Sequence, residues 1–140
     1  MRRRATITLH WLNAMLLLFI LGDGGATTWL SLAYAACALG MCALAVAFGL
    51  MNGPGPKLDG AFRVLHPWLH RGLYVLLGWG AVALAAKTLA RPLPGPEART
   101  LLLALLALAA LHAVFHLWRH TALGDGALRR ITPRSLHNIL

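Results

Sequence analysis

Acidic side chains are almost missing from this chain: Asp23, Asp59, Glu97 and Asp125 are the full set among 140 residues. Charged residues of both signs reach only 12%, against about 25% in an ordinary soluble domain. So few charges argue against a water-soluble enzyme. Cysteine is scarce as well. Cys37 and Cys42 lie five apart in one apolar run, a spacing that puts them on different helix faces. Neither a disulfide framework nor a metal motif follows, and both read as packing residues. No internal repeat is present, and the Leu/Ala richness of the last apolar run is the nearest approach to low complexity.

Apolar residues are abundant, at 59%, and the mean hydropathy is +0.66. This is the profile of a membrane protein. At roughly 20 residues per helical span, the length accommodates four spans and no separate soluble domain. Four apolar runs are visible, predicting helices over about residues 6–22, 28–51, 67–87 and 97–120. The first resembles a signal peptide in position. It lacks a small-residue cleavage site, and His10 and Asn13 interrupt it, so it reads as a retained helix. The second stops at Asn52-Gly53-Pro54-Gly55-Pro56, Pro67 suits a first helical turn, and Pro92, Pro94 and Pro96 precede the fourth. Helices satisfy their own backbones in lipid. The expectation is a single all-α domain over 1–140: an integral membrane four-helix bundle with a C-terminal tail from 121.

The net charge is +9. The bases flank the apolar runs and form no stripe, which argues for topology and against nucleic acid. With the N-terminus inside, the inner side holds ten bases: Arg2, Arg3, Arg4, Lys57, Arg63, Arg71, Arg119, Arg129, Arg130 and Arg134. The outer side holds three, Lys87, Arg91 and Arg99. By the positive-inside rule both termini are cytoplasmic, in the inner membrane of a bacterial cell. No charge sits mid-membrane and no span is broken, which sets aside a small transporter.

Seven histidines remain: His10, His66, His70, His112, His116, His120 and His137. Ionisable groups within a membrane are functional candidates by default. At 1.5 Å of rise per residue, His10, His70 and His112 all fall in the cytoplasmic half, and the outer half holds no histidine. Two imidazoles at one depth on facing helices suit axial ligation of a haem iron. The alternative is that each bonds a neighbouring carbonyl. His112, His116 and His120 share a helix face at i, i+4 and i+8; zinc is conceivable there but lacks carboxylate or thiolate companions. His116 is expected at a cofactor edge or a propionate, and His66, His120 and His137 at the interface. Arg71 and Arg119, beside Trp68 and Trp118, fit snorkelling; Arg71 could instead pair with a propionate.

Three segments resemble the bacterial cytochrome b-561 family of four-helix membrane cytochromes. They are Leu9-His10-Trp11-Leu12-Asn13-Ala14, then His70-Arg71-Gly72-Leu73-Tyr74-Val75-Leu76-Leu77, then Leu111-His112-Ala113 followed by Arg119-His120 and Asp125-Gly126-Ala127-Leu128-Arg129-Arg130-Ile131-Thr132-Pro133. Their order and spacing match across most of the chain. The resemblance implies haem b, with His10 and His112 as axial ligands on the cytoplasmic side. It implies that His70, His116, Arg71, Tyr74 and Asn13 surround the cofactor or a quinone pocket. The family's second, outer haem uses histidines where this chain has Ala98 and, near the expected place in helix two, Tyr34. Alanine offers no donor, so the resemblance implies one haem at most.

One haem near one face cannot relay electrons across roughly 30 Å of hydrocarbon. Local exchange between quinone and haem, membership of a larger respiratory or photosynthetic complex, and a structural subunit retaining remnants stay open. The leading expectation is therefore a monohaem electron-transfer protein with lipid, quinone and other membrane subunits as partners. The rival is a non-catalytic membrane subunit. The basic count carries its own test. Reporter fusions at the C-terminus should be active only when the reporter works in the cytoplasm; activity confined to a periplasmic reporter reverses the topology.

Overall fold

Each apolar run becomes a helix because a backbone surrounded by side chains that cannot accept or donate must bond to itself. In the computed structural model, residues 2–50, 57–133, 135 and 137 are described. They form α1 (Arg2–Asp23), α2 (Thr28–Phe48), α3 (Gly60–Thr88) and α4 (Ala98–Thr121), then a 3-10 turn at Ala127–Arg130. Among the described residues there is no strand. All four helices are long and apolar enough to cross a membrane. They run up and down, each packed on the next, and α1 also meets α4 to close the bundle.

Three boundaries differ from the sequence reading. Helix α3 starts at Gly60 instead of 67, so Pro67 lies inside it and not in its first turn. Proline there forfeits one helical hydrogen bond. The extra turns are held by side chains: Phe62 meets Trp118 at 5.2 Å and Phe115 at 6.2 Å between ring centroids. Helix α1 starts at Arg2, where the Arg2 guanidinium donates to the Gly49 carbonyl at 2.7 Å and Arg3 to the Arg129 carbonyl at 3.0 Å. Helix α2 ends at Phe48, and Gly49 turns out of it at φ 76°. The expected stop at residues 52–56 and the inner-side base Arg134 lie outside the described residues.

Lipid tails are as apolar as leucine, so helix association rests on close van der Waals contact and favours small residues. The core follows that rule. Ala35 and Ala38 of α2, Ala81 of α3 and Ala98 of α4 are buried beside Ile20, Leu84 and Leu102. A Cβ on Gly80 would stand 3.3 Å from Leu102 Cδ2, so glycine here sets how closely α3 and α4 approach. The α1–α2 turn places Gly24 at φ 69° and Gly25 at φ 75°, consecutive left-handed residues that other side chains resist. Trp29, Val46, Val64, Leu111 and Val114 point outward. In water such a surface would aggregate, whereas acyl chains accept it.

Polar ties between the helices are few. Asn13 Nδ2 donates to the Cys37 carbonyl at 3.4 Å, joining α1 to α2, and the Cys42 thiol donates to the Tyr74 carbonyl at 3.8 Å, joining α2 to α3. Both cysteines are free. The segment after α4 folds back over one end of the bundle. There Trp11 Nε1 donates to the Ile131 carbonyl at 3.0 Å and Lys57 Nζ to the Gly124 carbonyl at 3.4 Å.

The glycine contact yields a stability test. Gly80→Ile should cost about 1–3 kcal/mol through overpacking against Leu102. Gly22→Ile, where nothing stands within 4 Å, should cost far less. Thermal unfolding in detergent compares the two, and equal midpoints would mean that α3 and α4 do not touch at Gly80.

Candidate functional site: a histidine cluster

Five imidazoles from three helices converge at the end of the bundle that the folded-back segment covers. Helix α1 supplies His10, α3 supplies His66 and His70, and α4 supplies His112 and His116. Within α3 and α4 the paired histidines are four residues apart, so each pair shares a face. Ring centroids are 4.4 Å apart for His66–His70 and for His112–His116. Across the α3–α4 boundary, His70 stands 4.9 Å from His112 and 5.5 Å from His116, and His66 stands 5.7 Å from His116. His10 approaches from α1, with its ring 6.5 Å from His112.

A buried ion pair borders the cluster. Arg119, fully buried in the last turn of α4, donates through Nε to Asp125 Oδ2 at 2.8 Å and through NH2 to the same oxygen at 2.5 Å. Asp125 Oδ1 accepts the Ala127 amide at 2.9 Å, which starts the 3-10 turn. The third guanidinium nitrogen, NH1, lies 3.0 Å from His66 Nε2. Arginine only donates. His66 Nε2 is therefore an acceptor, and in the neutral ring the proton sits on Nδ1. The same logic fixes His70: its Nδ1 lies 2.9 Å from the His66 carbonyl, which only accepts, so Nδ1 carries the proton and Nε2 keeps its lone pair.

Several nitrogens of the cluster are left over. His66 Nδ1, His112 Nδ1 and His116 Nε2 are buried and make no hydrogen bond among the described residues. An unsatisfied buried polar group costs about 1–3 kcal/mol, so three in one cluster mark a place built for something besides packing. His66 Nδ1 or Nε2, His70 and His116 each offer one ligand atom, all within 4.8 Å of one another.

The residues expected from sequence divide into two groups. His10, His70, His112 and His116 come together in the cluster. Asn13 is buried but faces α2, and Tyr74 lines a small hollow with Arg2, Thr6 and Met41. Arg71 is exposed, its guanidinium 4.8 Å over the Trp68 ring, as a snorkelling side chain would be. One expectation is refined and one corrected. His66 lies near the start of α3 but is 2% exposed, with its ring against Phe115 and His116 of α4. Arg119 does not snorkel, because Asp125 folds back to neutralise it in place. His66, Arg119 and Asp125 are the site residues that the sequence reading missed. The four-residue step from His66 to His70 was the available signal for the first.

Comparison with known protein families, with curated proteins and with solved structures gives no match. The side-chain arrangement therefore carries the functional reading.

The ion pair makes a sharp prediction. Asp125→Asn leaves the Arg119 charge buried without its counter-ion and should cost about 3–5 kcal/mol. The double variant Arg119→Met, Asp125→Leu should regain most of that loss, since replacing both partners of a buried pair is often neutral. Denaturant titration in detergent measures both. A single-variant loss under about 1 kcal/mol would mean the pair is worth no more than a solvated one.

Proposed function

We propose that the chain is a cytochrome b-561-like electron-transfer protein of the bacterial inner membrane, with both termini cytoplasmic. One haem b is held between His10 and His112, and quinone or a larger respiratory or photosynthetic complex exchanges electrons with it. The spacing of those two rings carries the reading. Cofactor sites in helix bundles are built from side chains on facing helices, and two neutral imidazoles so placed would hold a haem iron. His10 and His112 stand at 6.5 Å, from facing helices. The close ring spacings within and between α3 and α4 are shorter, from 4.4 to 5.7 Å. His112 also brings a buried nitrogen with no partner among the described residues.

Haem b would supply one-electron redox chemistry between these two donors. The chain's own part is simpler. Both donors are neutral, so they bring no charge into the hydrocarbon, and the apolar outer faces of α1 and α4 exclude water. His70 and His116 flank His112 from α3 and α4, where they are positioned to meet the edge of a bound group or the headgroup of a quinone. A single haem is favoured because Tyr34 and Ala98 lie buried at the other end of the bundle, where no described histidines face one another. The site therefore serves exchange on one side of the membrane, with any further transfer left to partner subunits.

The test is the reduced-minus-oxidised visible spectrum of the purified protein, with a pyridine-haemochrome count. About one haem per chain is expected. His10→Ala and His112→Ala should each abolish the low-spin spectrum, while His70→Ala and His116→Ala should keep it. Bleaching by His70→Ala with His10→Ala unaffected would move the axial pair to His70 and His112. A colourless parent would favour a non-catalytic membrane subunit.

A further inference from the structure

We propose that His66, His70 and His116 form a second site, which binds a divalent transition-metal ion of the Zn2+ class and shares no ligand with the His10–His112 pair. Three observations converge on it. The three imidazoles already place their ligating atoms within 4.8 Å of one another. Two of them, His66 and His116, hold buried ring nitrogens with no partner among the described residues. The third, His70, is oriented as metal-bound histidines commonly are: one ring nitrogen donates to a carbonyl, at 2.9 Å, and the other is left as a lone pair.

The geometry suits adjacent ligands on one small ion. Tetrahedral coordination at about 2.0–2.1 Å per bond needs nitrogens about 3.4 Å apart and ring centroids about 5 Å apart. The three centroid spacings, 4.4, 5.5 and 5.7 Å, bracket that value, so modest adjustments of the rings complete the set. His66 and His70 sit one turn apart on α3, the helical spacing that recurs in two-histidine metal sites. His116 completes the triad from α4. Three imidazoles without carboxylates select borderline transition ions over Mg2+ and Ca2+.

Arg119 is the obvious objection, being a cation 3.0 Å from His66. Asp125 removes most of it, because both Arg119 contacts to Asp125 Oδ2 make the pair neutral. Arg119 does fix where the proton lies. For His66 to coordinate through Nδ1, the ring proton moves to Nε2 and Arg119 NH1 turns from that nitrogen while Nε and NH2 keep their contacts to Asp125, so the ring stays neutral. Depth favours the exchange as well. His66 is about 9 Å along α3 from Gly60 and His116 about 8 Å from the end of α4, by the helical rise, which is near headgroup level.

Equilibrium dialysis of the full purified chain, without a polyhistidine tag and against excess Mg2+ and Ca2+, tests the site. Zinc is counted by elemental analysis and haem separately by pyridine haemochrome, so failure of one reading is distinct from failure of the other. About one Zn2+ per chain should be retained. His70→Ala and His116→Ala should each weaken retention at least tenfold, and His10→Ala should leave it intact. Where an alanine variant loses helical content by circular dichroism, His70→Gln or His116→Gln replaces it and should show the same loss. A parent that retains under about a fifth of an ion, triad variants that bind like the parent, or equal loss in His10→Ala would each overturn the proposal.

Discussion

A buried guanidinium organises this end of the molecule. Arg119 cannot sit inside an apolar bundle without a counter-ion, because an unpaired charge there costs several kcal/mol. Asp125 answers that need, and it can do so only if the chain reverses just after α4. The reversal brings Ala127 and the 3-10 turn against the bundle, and Arg3 and Trp11 of α1 then bond the carbonyls of Arg129 and Ile131. The last guanidinium nitrogen fixes the tautomer of His66. One ion pair thus links the tail, the start of α1, the extended start of α3 and the electronic state of the histidine cluster.

The two ends of the bundle are built from different materials. At the far end, small residues and leucines pack closely, with Gly80 admitting Leu102 at near contact. At the other, imidazoles crowd together with nitrogens unsatisfied. The rings contribute little apolar packing and carry polar atoms that lipid penalises. The cluster is thus a place where stability has been given up, and such places collect at functional sites.

Much of this was legible in the sequence, for reasons that also explain what was not. The four helices follow from apolar runs of spanning length. The meeting of His10, His70, His112 and His116 follows from depth, which the helical rise turns into arithmetic. What escaped depends on contacts that periodicity does not encode. Pro67 reads as a helix start, and only the Phe62 rings on α4 reveal that α3 continues through it. Arg119, next to Trp118, reads as an interfacial anchor because its counter-ion lies six residues on, beyond the helix. The burial of His66 follows from both.

Ring spacing separates the two sites proposed for the cluster. Imidazoles on opposite sides of one metal stand farther apart than imidazoles that are neighbours on it. The pair that bridges α1 and α4 has the wide spacing, and the triad on α3 and α4 has the narrow one. Helix geometry enforces the division. Residues four apart on one helix present their rings side by side and cannot take opposite faces of a macrocycle, whereas rings on separate helices can. Under the proposed reading His112 looks to α1 for its partner, and His10 is the histidine among the described residues of α1. His66 and His70, one turn apart, suit neighbouring positions on a small ion, with α4 offering His116 as the third donor.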